Sequence, residues 1–151
     1  MKFRIWNKMD KKFYTYNPLD TTKWLIDMNG NLGYMDLTDF SWGGLIPKGF
    51  YELNQYTGLK DKNNKEIYLG DILTCDIYPF KDNGKPNYNA EVYWDENSLQ
   101  FCIRFCCVNR EKRGISDGIC EALTDRIDDI NECQFEVIGN IYENTELLKA
   151  N

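Results

Sequence analysis

The chain has no histidine. It therefore lacks the side chain that most often acts as a general base near neutral pH, the pivot of the usual triads, and the commonest zinc ligand. No stretch approaches the ~18 consecutive apolar residues that span a bilayer. The opening MKFRIWNKMDKKFYTY alternates apolar and polar residues where a secretory signal would be continuously apolar. There is no Gly-x-Gly-x-x-Gly or Walker-type phosphate loop, and no Cys-x-x-Cys knuckle to put two thiolates on one zinc. These absences lead to the expectation of a cytoplasmic, non-membrane protein with no cofactor and no catalytic or metal-binding residues to assign.

What is present is aromatic and acidic. Of 151 residues, 42% are hydrophobic and 15% aromatic, enough to close a core, and a single domain over residues 1–151 is the expectation. Four Trp, ten Tyr and eight Phe favour strands, because flat side chains pack well on a pleated, half-buried surface. A net charge of −6 repels phosphate backbones and anionic membranes as a whole-molecule effect. Two local runs, Lys60-Asp61-Lys62 and Arg110-Glu111-Lys112-Arg113, could make a basic spot, but read more simply as solvated turns. In a reducing compartment the six cysteines (Cys75, Cys102, Cys106, Cys107, Cys120 and Cys133) read as small apolar core residues instead of a disulfide framework.

The patterning predicts a mainly β chain. Met1 to Trp6 and Lys12 to Tyr16 form an opening hairpin, and Trp24 to Met28 and Leu32 to Met35 a second one, turned by Asn29-Gly30. Asp36 to Gly49 holds Gly43-Gly44, Pro47 and Gly49 and reads as a surface excursion. Its Phe40, Trp42, Leu45 and Ile46 either pack down as a lid, the favoured reading, or await a partner. Strands are expected at Tyr51 to Tyr56, ended by Thr57-Gly58, and at Ile67 to Leu69, with Pro79 to Asn87 as a connection. In Ile72 to Tyr78, Leu73, Cys75 and Ile77 form the inward face; Ala90 to Trp94 alternates as a half-buried strand should. Leu99 to Val108, apolar on both faces, is the candidate central strand. Ile119 to Ile130 has helical spacing and suggests a short helix or a pair of turns; Gln134 to Tyr142 is the final strand, with a bulge or close contact at Gly139. Asn144 to Leu148 reads as a cap and one helical turn.

Gln55-Tyr56-Thr57-Gly58-Leu59-Lys60-Asp61-Lys62-Asn63, continuing through Lys65 to Gly70-Asp71-Ile72-Leu73, resembles the central motif of the YopX family of phage and prophage proteins. Met1 to Trp6 resembles that family's start, and Phe135 to Asn144, which contains Gly139, Asn140 and Tyr142, followed by Leu147-Leu148, its ending. The resemblance covers the whole chain in order. It implies a YopX-like twisted sheet or partly open β-barrel with one or two short helices near the C-terminus, a phage or prophage setting, self-association, and no established activity. Pro79 to Cys133, including the cysteine-rich strand, carries no recognisable family motif.

The motif residues themselves read as folding instructions, since Thr57-Gly58, Asp61 and Gly70-Asp71 are turn and strand-entry chemistry. Asp61, Glu66 and Asp71 would bind a divalent cation only if their oxygens converged. A nucleophilic cysteine would need a cation beside it, and Arg104, on the same face as Cys102 and Cys106, reads first as a snorkelling arginine. The leading expectation is a non-enzymatic, homo-oligomeric interaction module that binds a phage or host protein through Phe40, Trp42, Leu45 and Ile46. The alternative is a nucleic-acid-binding β-barrel in phage DNA metabolism or regulation, with Tyr93 or Trp94 stacking on bases beside Arg110, Lys112 and Arg113.

Overall fold

Strand chemistry dominates the computed structural model, which describes residues 2–15, 17–109, 118–123 and 135–149. Its contacts divide the chain into two compact units, Lys2–Asn54 and Gln55–Asn151. As the aromatic composition anticipates, the chain is mostly β, and the described helical structure amounts to short 3-10 turns.

In the first unit, β1 (Phe3–Asn7) pairs antiparallel with β2 (Lys12–Tyr14) in the register Ile5↔Tyr14, Trp6↔Phe13. The Asn7 side-chain oxygen shapes the turn by accepting the Met9 and Asp10 N–H groups at 2.8 and 3.1 Å. On its other side β1 neighbours β6 (Tyr51–Lys60), whose first four residues belong to this unit. The second hairpin joins β3 (Thr22–Ile26) to β4 (Leu32–Asp36). Its turn is organised by Asp27, which accepts the N–H groups of Asn29 and Asn31, both at 2.8 Å, while Gly30 takes φ +75. The segment expected to be an irregular excursion is instead a third strand, β5 (Ser41–Leu45), paired to β4. Ile5, Leu32 and Tyr51 form the core here, with Tyr14, Trp24, Ile46 and Leu53 packed against it; the Tyr51 hydroxyl accepts the Leu32 N–H at 2.9 Å.

The second unit is built on an open five-stranded sheet of order β13-β12-β11-β8-β14. The strands are β8 (Asp71–Thr74), β11 (Tyr88–Asp95), β12 (Gln100–Cys107), β13 (Cys120–Ala122) and β14 (Glu136–Asn140). The centre is thus β11, and the doubly apolar β12 lies one place from the edge. Where helical spacing suggested a helix from Ile119, the described part is strand β13; the remainder of that stretch lies outside the described residues. Thr57-Gly58 does not end its strand either: β6 continues to Lys60 and pairs with β7 (Glu66–Tyr68), with Gly58 at φ +93 inside a register shift. The connection after Ile77, itself exposed, contains a small hairpin of β9 (Lys81–Asp82) and β10 (Lys85–Pro86), closed by Asn83-Gly84 with both residues at positive φ. Tyr88, Ala90 and Val92 face Cys107, Phe105 and Ile103 across the ladder and, with Leu73, Phe80 and Phe135, make the core. The opposite face is partly covered by the C-terminal 3-10 turn Thr145–Leu148, because Asn89 donates to the Leu147 carbonyl at 2.7 Å.

The buried Asp61 carboxylate holds this unit's two ends together. One oxygen accepts the N–H groups of Asn63 and Lys65 at 2.8 and 2.9 Å; the other accepts the Val137 N–H, 76 residues away, at 3.0 Å. Lys62 N–H donates to the Phe135 carbonyl at 2.8 Å beside it. Burial pushes the Asp61 carboxyl up, but the three backbone donors outweigh that and hold it below the usual carboxylate range. Asp61→Ala is expected to cost on the order of 3 kcal/mol in urea unfolding by stranding these donors, and Asp61→Asn less, since one carbonyl oxygen remains. With a folded-state pKa below the unfolded value of ~4, this stabilisation is complete above that value and disappears as the pH falls through the lowered one. Asp61→Asn should lack that part of the acid-induced loss.

Candidate interaction surface

Antiparallel pairing sorts the residues of β3, β4 and β5 onto two faces. Trp24↔Tyr34 and Ile26↔Leu32 lie on the inner face, and Tyr14, Trp24 and Tyr34 form an aromatic row with centroid spacings of 5.4 and 6.0 Å. The outer face takes Lys23↔Met35↔Trp42 and Leu25↔Gly33↔Leu45. It is apolar apart from Lys23, and Trp42 and Leu45 are 52% and 57% exposed.

Two glycines explain how a Gly-rich segment remains a strand. A Cβ on Gly33 would lie 2.6 Å from the Trp42 ring, and one on Gly43 2.1 Å from the ring of Tyr34. Each glycine is a seat for an aromatic from the neighbouring strand, so Trp42 covers Gly33 on the outer face and Tyr34 covers Gly43 on the inner. Gly44, at φ +87, supplies the bulge that keeps Leu45 in register with Gly33. Phe40, in the preceding turn at φ 57, is 76% exposed. Of the four residues singled out in this segment, only Ile46 packs inward, against the Ile5–Leu32–Tyr51 core. Among the described strands β5 is an edge with no charged residue, the type of strand that pairs with another chain unless something blocks it.

The residues of the nucleic-acid alternative are not brought together. Tyr93 and Trp94 are adjacent on β11 and point to opposite faces. One face of the Tyr93 ring carries the Arg104 guanidinium, 4.6 Å from its centroid, and Trp94 packs edge-on against Phe101 at 5.1 Å. Arg110, Lys112 and Arg113 lie outside the described residues. The acids of the central motif are each engaged in hydrogen bonds, Asp61 with the three backbone donors described above. Asp71 accepts the Tyr68 N–H at 2.8 Å, Glu66 accepts the Tyr68 hydroxyl at 2.7 Å, and among the described residues no three Cys, Asp or Glu side chains are placed to hold an ion. Nor is any described helix long and apolar enough to cross a membrane.

A family model described as YopX protein matches residues 2–149. The chain belongs to the YopX family. Two solved structures resemble this YopX chain. Protein EF1440 from Enterococcus faecalis is 24% identical over 98% of this chain and 97% of its own, with a TM-score of 0.55. Protein yopX from Bacillus subtilis is 18% identical over 97% of each chain, with a TM-score of 0.57. At these identities the likeness is one of fold. No curated protein matches the sequence.

The YopX signature residues hold backbone. The Gln55 carbonyl accepts the Leu69 N–H at 2.9 Å, the Tyr56 ring lies 5.5 Å from that of Tyr68, and the Thr57 hydroxyl donates to the Ile67 carbonyl at 2.9 Å. Gly70, at φ +80, donates to Val92 and accepts from Ile141. The Asn140 side-chain oxygen accepts the Tyr142 and Glu143 N–H groups, both at 3.0 Å. Gly139 leaves room for the Asn144 side chain, which accepts the Asn140 N–H at 3.3 Å and does not cap the turn it precedes. The family motif marks the strand junctions, while the exposed apolar surface lies in a segment outside it. Gly43→Ala is expected to displace Tyr34 and lower the melting temperature, at a cost of about 1–3 kcal/mol. Gly49→Ala, whose added carbon would meet nothing within 4 Å, should leave it unchanged.

Proposed function

We propose that this YopX chain is a non-enzymatic interaction module, its residues working as one YopX-like domain in a phage or prophage setting, and that its first partner is a second copy of itself. The observation that carries this reading is the outer face of β3–β4–β5, where Leu25, Met35, Trp42 and Leu45 present an apolar surface beside an uncharged edge strand. An antiparallel edge can pair with its own copy about a two-fold axis, which would satisfy both edges and join the two apolar faces into one continuous surface. The lack of histidine and the engagement of the motif acids in structural hydrogen bonds support a role in contact over one in catalysis. A phage or host protein could use the same face once the module is assembled.

Electrostatics separates this reading from the nucleic-acid alternative. Two copies at −6 each repel one another, so added salt should favour association. Phosphate contacts release counterions and weaken with salt. Size-exclusion chromatography with light scattering, at about 50 and about 500 mM salt, is expected to show multiples of 17.8 kDa whose fraction rises with salt. Leu45→Glu should return the protein to monomer with an unchanged circular dichroism spectrum. A strict monomer at both salts, or an oligomer insensitive to Leu45→Glu, would overturn the assignment.

A further inference from the structure

On the inner side of β3, the first unit holds a cavity of about 210 Å³ lined by Ile5, Tyr14, Trp24, Ile26 and Leu32. A second cavity of the same volume shares all of these but Ile26 and continues toward Phe50 and Tyr51. The two differ in charge. No charged residue lines the second among the described residues, whereas the first reaches Asn17, Asp20 and Lys23, where the chain passes from β2 to β3. Strand alternation puts Thr22, Trp24 and Ile26 on the cavity side of β3 and turns the Lys23 side chain the other way; its ammonium donates to the Asp20 carbonyl at 2.7 Å. The charged side chain left for the cavity is the exposed Asp20. One of its carboxylate oxygens accepts the Asn17 amide at 2.9 Å, and no described residue bonds the other.

We propose that this cavity binds a small protonated organic amine, its hydrocarbon body inside against Ile5 and Leu32 and its ammonium at the mouth on the open oxygen of Asp20. Volume sets the size of the ligand. A dry apolar cavity of about 150 Å³ holds a benzene, so this one admits a single ring with a short arm and is too small for a nucleotide. The lining sets its chemistry. Leu32 is fully buried and Ile5 nearly so, and such an interior gains from apolar surface withdrawn from water and gives nothing to a bare ion. Tyr14 and Trp24, tilted by 54° to one another, offer π surface to a ring and to a cation. Tyr14 already carries the Lys12 ammonium 4.8 Å from its centroid, and Lys12 takes no part in the lining. At −6 the whole chain attracts a cation and repels a carboxylate or phosphate.

Polarity also selects the source of the amine. The carboxylate stands at the exposed end and the apolar residues at the buried end, so the ligand must enter body first with its charge trailing. A lysine side chain of another protein has the reverse order, and would carry its ammonium in among Ile5 and Leu32 while its backbone stayed outside. A free arylalkylamine has the required order. The site faces away from the outer surface of β3–β4–β5, so it does not depend on pairing of the β5 edge.

Calorimetric titration of the full chain with 2-phenylethylamine and with 2-phenylethanol tests this. The amine is expected to bind saturably, one per chain, and about tenfold more tightly than the alcohol, the factor for one hydrogen bond to a charged group. Asp20→Asn, which keeps an oxygen for the Asn17 amide, should erase that difference and leave the alcohol's affinity unchanged. Thr22→Phe, which adds a ring on the cavity side of β3, should weaken both ligands. No saturable binding, equal affinity for amine and alcohol, or unchanged amine binding in a folded Asp20→Asn or Thr22→Phe protein would overturn the proposal. So would tighter binding of a short peptide that begins with phenylalanine, because the site would then belong to a chain terminus.

Discussion

A carboxylate removed from water must be repaid in hydrogen bonds or it will take up a proton, and Asp61 is repaid in full by backbone. Its three N–H donors come from the turn it opens and from a strand 76 residues further on, so one side chain specifies both a local bend and a long-range pairing. The rest of the second unit follows from that connection. With Asp61 on Val137 and the Lys62 N–H on Phe135, β14 is aligned beside β8, and Gly70 then bonds Val92 on one side and Ile141 on the other. The Lys62 ammonium adds an outer layer, pairing with Asp76 at 2.9 Å and Glu136 at 2.8 Å; its bonds to those two carboxylates raise its own pKa. These exposed pairs contribute little next to the buried carboxylate.

The first unit solves a different problem, how to keep a glycine-rich strand in a sheet. A glycine loses more freedom on ordering than any other residue and offers no side chain to pack. Gly33 and Gly43 recover that contact from the rings of Trp42 and Tyr34, which lie where side-chain atoms would otherwise be. The outer ring lies over a glycine seat and stays partly exposed, giving a flat apolar surface on a face otherwise interrupted only by Lys23. Shape and exposure thus have a common cause.

Much of the architecture was legible in the sequence. Alternation marked the opening hairpin, Asn29-Gly30 marked the second turn, and the apolar residues of β11 face inward as their spacing requires. The family signature was legible as a string of letters, yet the role of Asp61 was not, because its decisive partner is remote in the chain. β5 was hidden because Gly43-Gly44 carries the same local signal as a loop, and only the ring across the ladder shows otherwise. Cys120–Ala122 was hidden because apolar residues three and four apart satisfy a helix, while its strand identity comes from pairing with Cys102–Arg104. The candidate surface was half legible: Phe40, Trp42 and Leu45 were visible as apolar residues out of place, but the face that Trp42 and Leu45 share with Leu25 and Met35 depends on register. The same limitation let Tyr93 and Trp94 pass as one stacking platform.

The placement of β14 next to β8 has a consequence for synthesis on the ribosome. β8 is translated long before its partner, and the Asp61 carboxylate is without its Val137 donor for the same interval. Until residues 135–140 emerge from the exit tunnel, the nascent chain carries an open sheet margin and an unfinished turn together, and both are closed by one short segment arriving late. Chains interrupted upstream of that segment would be left with the unpaired margin that chaperones and proteases recognise.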